Sequence, residues 1–247
     1  MTTQFTSQAQ PERRSDAGDV SLARRTFLRN AGLAGAAIAL VGCAGTSTEL
    51  TAPAVPKTPN EPSGAVVGPG GAITLDFSTD IDVLNYAYAL EQLEAAFYVT
   101  AAANAAFTSI FAANEQRVLL DIRDHEVVHR DFFAAALGAA KIPNLTPVFT
   151  SINFADRTSV LQTARTFEDL GVSAYNGAAR YLASAAYLGL AGKIVSVEAR
   201  HASTIRDLLN NRSGDFAPNA FDAGNTPQFV LTAADPFIVE NITVINA

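Results

Sequence analysis

Four stretches of the chain repeat apolar residues at helical spacing, and the segments between them lose that period. The first runs from about Asp80 to Ala103, with Ser78, Thr79 or Asp80 placed to cap its N-terminus. The second runs from about Asn114 to Leu137 and ends near Gly138. The third starts after Asp156 and ends near Gly177. The fourth runs from about Ser184 to Leu209, ahead of Asn210-Asn211 and Gly214. Residues 139–156 carry two prolines and no helical period. At ~3.3 Å per residue such a segment reaches ~59 Å, whereas a helix of about 25 residues is only ~37 Å long. It can therefore run the full length of a bundle, while the other connections are short. The pattern predicts an all-α four-helix bundle built as hairpin, long crossover, hairpin.

The two ends of the chain read differently. Residues 1–42 place a charged segment ahead of a short stretch of small apolar residues, the layout of a signal peptide and too short to span a membrane comfortably. Within it, Arg24-Arg25-Thr26-Phe27-Leu28-Arg29 resembles the twin-arginine export motif, with Ala23 where Ser is usual. That route carries folded proteins with cofactor in place. Leu40-Val41-Gly42-Cys43 resembles a bacterial lipobox, which predicts cleavage before Cys43 and lipidation of this single cysteine. With one cysteine, no internal disulfide can form and no cysteine-based zinc site can be built. These features imply an exported protein of the periplasm or cell envelope, anchored by lipid. Residues 43–73 are rich in Thr, Pro, Ala and Gly and read as a flexible linker. The bundle is expected over 74–211. The tail, 212–247, holds Gly214, Pro218, Gly224, Pro227 and Pro236, and reads as mostly irregular, with Phe216, Phe221, Phe229 and Phe237 packed on the bundle.

Charge narrows the partners. The net charge is −7, and five of the 17 basic residues lie before residue 30. Cleavage before Cys43 removes those five and the acidic Glu12, Asp16 and Asp19, leaving 12 basic and 21 acidic residues and a charge of −9. Phosphate recognition needs clustered Lys and Arg, so nucleic acid is excluded as a partner.

The chemistry lies on the helices. The second holds Glu126-Val127-Val128-His129 and the fourth holds Glu198-Ala199-Arg200-His201, so each carries Glu-x-x-His on one face. Both pairs sit among apolar residues: Leu119, Ile122, Phe132 and Phe133 around the first, Ile194, Ile205 and Leu208 around the second. A buried carboxylate costs several kcal/mol unless it is paired or bound to metal. Offsetting the first helix onto the third superposes Glu91 on Glu168, Leu93 on Leu170, Tyr98 on Tyr175, and Glu94 on Gly171. The chain therefore contains a weak internal duplication, Glu-x6-Tyr followed by Glu-x-x-His. The duplication favours Glu91 over Glu94 as a ligand and leaves Glu94 as a reserve or outer group. His125, adjacent in sequence to Glu126, points about 100° from it around the helix and reads as a surface or outer histidine. Tyr86 and Tyr187 read as packing residues.

These helices resemble bacterial ferritin-like domains, and the export features are similar to those of the desiccation-related branch; Leu84-Asn85, Glu91 and Tyr98 also resemble the first helix of bacterioferritins. The resemblance covers about residues 74–210. It implies that Glu91, Glu126 and His129 serve one metal ion, that Glu168, Glu198 and His201 serve a second, and that Glu126 and Glu198 bridge them. Tyr98 and Tyr175 would donate hydrogen bonds to ligand carboxylates. The implied cofactor is a pair of ions, iron with manganese as the alternative. The same six residues would then be catalytic in a ferroxidase or oxidant-detoxifying reaction with dioxygen or peroxide. A non-enzymatic, stress-protective bundle and a dimanganese peroxide dismutase are the alternatives. A lipid tether and long tail would obstruct a closed storage cage.

Overall fold

A computed structural model describes residues 65–68 and 71–247; the signal, twin-arginine and lipobox assignments, Arg24, Arg25 and Cys43 among them, lie outside the described residues. The described residues form six α-helices: α1 (Asp80–Ala103), α2 (Phe107–Ile110), α3 (Ala113–Leu137), α4 (Arg157–Ala178), α5 (Ala185–Leu209) and α6 (Pro227–Ala234). They also form three short strands, β1 (Val66–Val67), β2 (Ile73–Asp76) and β3 (Ile242–Ile245). No helix among the described residues is long and apolar enough to cross a membrane.

The four long helices are fixed by local chemistry at their starts. Thr79 caps α1 by accepting from the Asp82 N–H, Asp156 caps α4 through Ser159, and Ser184 caps α5 through Tyr187. At α3 the Glu115 carboxylate accepts from the Ala112 N–H, 2.9 Å away. Asp80 does not cap its own helix. Its two oxygens accept from the Ala183 and Ser184 N–H groups at 2.7 and 2.8 Å, which ties the start of α1 to the start of α5. Arg157 at the start of α4 donates to Glu115 and to the Leu208 carbonyl at 2.9 Å, joining α3, α4 and α5 at the other end.

Helices α1 and α3 pack as one hairpin, α4 and α5 as the other. The crossover returns along α1, where polar side chains receive its backbone. Asn85 accepts from the Ile142 N–H at 2.8 Å and donates to the Ala140 carbonyl, and Gln92, two turns on, accepts from the Leu145 N–H at 2.8 Å. Covered on this side as well, α1 is buried on nearly every face from Val83 to Tyr98. Phe149 and Phe154 of the crossover close edge-on or tilted against Phe97, which also meets Phe167 at 5.2 Å between ring centres.

The ends of the chain correct two expectations. The stretch read as linker finishes in β1 and the start of β2, and the tail is ordered. It supplies α6 and then β3, which pairs in parallel with β2 in the register Ile73 to Ile242 through Asp76 to Ile245, while β1 pairs antiparallel with β2. The bundle is thus joined by a small three-stranded sheet that buries Ile73, Leu75 and Ile242 and leaves Val66, Val67 and Ile245 exposed. Of the four tail phenylalanines only Phe237 packs inward, edge-on to Phe167 at 4.9 Å. Phe216, Phe221 and Phe229 face solvent, Phe221 being 90% exposed.

The tail also lies directly on α4. Asn225 donates from its backbone to the Ser173 carbonyl and from its side chain to the Ser173 hydroxyl, both at 3.0 Å. A Cβ at Gly177 would stand 1.8 Å from the Asn225 carbonyl oxygen. Gly to Ala inside a helix ordinarily stabilises by ~1 kcal/mol. Here the backbone contact reverses the sign: Gly177→Ala should cost about 1–3 kcal/mol. Thermal denaturation should show Tm lowered by roughly 2–10 °C, and an unchanged or raised Tm would remove the close approach.

Candidate metal centre

The site forms at mid-bundle, where each long helix turns acidic side chains inward. Helix α1 supplies Glu91, Glu94 and Tyr98; α3 supplies Glu126 and His129; α4 supplies Glu168 and Tyr175; α5 supplies Glu198 and His201. Glu91, Glu126, Glu168 and Glu198 are all 0% exposed. His129 and His201 are buried beside them.

Two overlapping groups of donor atoms result, each drawn together within 4.8 Å: Glu91, Glu126, His129 and Glu198 in one, Glu126, Glu168, Glu198 and His201 in the other. Glu126 and Glu198 belong to both. One Glu126 oxygen lies 3.5 Å from His129 Nδ1 and the other 2.8 Å from His201 Nδ1. Glu198 faces the same two nitrogens at 2.9 and 3.8 Å. Glu91 and Glu168 stand at the outer ends, each 3.4 Å from the histidine of its own group. The internal duplication read from the sequence is therefore a duplication in space.

The tyrosines cross over between halves. Tyr98 on α1 donates to Glu168 Oε1 on α4 at 2.5 Å, and Tyr175 on α4 donates to Glu91 Oε1 on α1. Burial, followed by the neighbouring carboxylates, holds both phenols well above the usual range, so they remain protonated donors. Each outer glutamate thus has one oxygen fixed by a tyrosine and the other left facing the centre.

That inner set tests whether a metal fits. Glu91 Oε2, both oxygens of Glu126 and Glu198, Glu168 Oε2 and the Nδ1 atoms of His129 and His201 are fully buried without hydrogen-bond partners. Their mutual distances are short, but the angles are not those of hydrogen bonds. Eight inward-facing buried donor atoms of carboxylate and imidazole chemistry, otherwise orphaned, match what a pair of divalent ions requires.

The electrostatics in the absence of cations say the same. Burial pushes Glu91 and Glu168 up to about 8, against the pull of His129 and His201. Burial would also raise Glu126, but the two histidine rings facing its oxygens draw it down to about 2. Burial alone would depress the histidines, yet the ring of carboxylates outweighs it, raising His201 to about 12 and His129 higher still.

Glu94 lies beside the six. A Cβ at Gly171 would come within 2.8 Å of Glu94 Oε1, so the glycine opposite makes the room for this fifth carboxyl group. Burial, then the charges of Glu198, Glu126, Glu91 and Glu168, hold Glu94 well above the usual carboxylate range. It belongs to neither donor group.

His125 is the residue whose part the sequence left open. Its Nδ1 lies 2.9 Å from His201 Nε2 and the two rings stack at 10°. Burial, then His201 and His129, lower its basicity, so it is neutral and fixes the His201 ring from outside. Its position four residues before His129 was the available signal.

A comparison with curated proteins returned no match. A family model described as a ferritin-like domain matches residues 79–211, from the cap of α1 to just past the end of α5, more than half of the 247-residue chain. With its two hairpins, its long crossover and its inward-facing Glu and His set, the chain belongs to the ferritin-like domain family.

Proposed function

We propose that Glu91, Glu126, His129, Glu168, Glu198 and His201 bind a carboxylate-bridged pair of metal ions, iron in preference to manganese, and that the protein works as an oxidoreductase on dioxygen or peroxide. The single observation carrying this is the set of orphaned inward donor atoms shared between two groups through Glu126 and Glu198. Bound ferrous ions would supply the electrons for reduction of dioxygen or peroxide. The chain supplies the rest. Glu126 and Glu198, which belong to both donor groups, would hold the two ions together, and Glu91 and Glu168 would each hold one, while Tyr98 and Tyr175 fix the orientation of these two outer carboxylates. His125 orients His201. Glu94 adds a further buried carboxyl group beside the cluster. The apolar packing around the site excludes bulk water.

We further propose that the reaction takes place outside the cytoplasm. Arg24-Arg25 and the Leu40–Cys43 sequence support export and a lipid anchor, and twin-arginine export suits a bundle loaded with metal before transport.

Anaerobic loading of the purified protein with ferrous iron tests the first proposal. About two ions per chain should bind, and admission of dioxygen should oxidise them with growth of near-ultraviolet absorption typical of bridged ferric pairs. Failure to bind metal, together with an unchanged Tm on adding it, would leave a stress-protective bundle. Turnover of peroxide by the manganese-loaded protein alone would assign it to dismutation.

A further inference from the structure

A second feature of the bundle interior is a cavity of about 30 Å³ with an almost wholly apolar lining, drawn from all four long helices. Leu90, Phe133, Ala174, Ala178, Tyr187 and Ile194 form most of its wall. Its position follows the helical repeat. Phe133 lies four residues after His129, Ile194 four before Glu198, and the lining residue Ala87 four before Glu91, so the cavity is about one turn along the bundle axis from the metal centre. Tyr175 belongs to both, lining the cavity while its hydroxyl holds Glu91. Phe132 and Leu190 in the wall are partly solvent-exposed, whereas the ligand carboxylates are sealed.

Size and polarity select the occupant. One water needs ~10–15 Å³ and two to four polar partners, while an engineered cavity that takes benzene measures ~150 Å³. A void of 30 Å³ holds a molecule of two heavy atoms and excludes a ring. The one buried hydroxyl of the wall without a partner is that of Tyr86, which alone cannot satisfy a water. A neutral, nonpolar diatomic molecule meets both conditions.

We infer that this cavity is a docking pocket for dioxygen, from which the gas passes along Leu90 and Tyr175 to the Glu91 side of the metal centre. The alanines at 87, 174 and 178 create the space by being small. This rests on the proposal that the centre reacts with dioxygen. The pocket itself, being built by apolar packing, is present with or without metal.

Xenon, an apolar probe of similar size, separates the two. Under xenon pressure the metal-free and the iron-loaded wild-type protein should both show saturable binding by xenon NMR, mapping to residues around Ala174 and Ala178. Ala178→Leu should abolish xenon binding and raise the KM for dioxygen in iron oxidation at least about fivefold at unchanged metal content. Ala87→Val, a smaller addition, gives the same test should the leucine disturb folding. Absence of xenon binding in the wild type, or a tightly held water in its place, would overturn the pocket. Xenon binding lost in both variants with KM unchanged would overturn the route. Iron-loaded wild-type protein that binds xenon but consumes no dioxygen would instead refute the functional reading, and the route with it, leaving only an apolar cavity.

Discussion

Glu126→Ala and Glu198→Ala should each abolish binding of both metal ions, whereas Glu91→Ala and Glu168→Ala should each weaken one. The difference comes from how the carboxylates are shared. Glu126 places one oxygen 3.5 Å from His129 and the other 2.8 Å from His201, and Glu198 divides itself between the same nitrogens. Removing either takes a donor from both groups and also removes the negative charge that allows two cations to sit side by side. Glu91 and Glu168 each face one histidine, and their loss leaves the opposite group complete. Metal analysis after dialysis should therefore give about two ions for wild type, near zero for the bridging variants and about one for the terminal variants. Melting curves report the same order. Free metal at a hundredfold above Kd stabilises by about 2.7 kcal/mol per site, and this metal-dependent rise in Tm should vanish in Glu126→Ala and Glu198→Ala. Four variants with indistinguishable stoichiometry would mean that the six groups do not act as a bridged pair.

Much of this arrangement is visible before folding because its determinants are local. The starts of α4 and α5 follow from Asp156 and Ser184, side chains that cap their own helices. Glu126 with His129 and Glu198 with His201 share a face through a spacing of three, and the offset matching Glu91 to Glu168 is a property of the chain alone. What escaped was non-local. The parallel pairing of β2 with β3 joins residues about 170 positions apart, and a run as short as Ile242–Ile245 carries no period of its own. The Asp80 carboxylate reads as a cap for α1, yet it binds the backbone of the segment leading into α5, a partner set by how the hairpins dock. Asn85 and Gln92 look like polar intrusions in an apolar helix until the crossover lies over them. His125 has the same character: its partner is 76 residues away, on the facing helix.

Stability of the metal-free protein should fall steadily as pH rises from about 5 to 8, and loading with metal should remove that decline. Burial raises Glu91 and Glu168 from the usual 4.5 to about 8, so across that window the folded form holds protons that the unfolded chain releases. Stability contributed by such groups is present at low pH and lost as pH rises. The histidines act in the same direction. His201 is raised from 6.5 to about 12 and His129 is raised further, so their contribution is full below 6.5 and is lost through the alkaline range. Glu126 opposes them only in acid: drawn down to about 2, its contribution is present above 4.5 and is lost as pH falls towards 2. The metal-free protein is therefore most stable near pH 5, and its slope above that should be about 3 kcal/mol per pH unit from the two carboxyl groups, steeper above pH 6.5 where the histidines add theirs. Cations take the positions of these protons, so titrating metal into weakly buffered protein at pH 6–7 should release about four protons per pair of ions, one each from His129, His201, Glu91 and Glu168. A pH-stat measures the release directly, and chelator-treated protein gives the slope. A flat or rising Tm between pH 5 and 8 without metal, or release of less than about one proton, would mean that the buried carboxylates and imidazoles are not held together as the bundle arranges them.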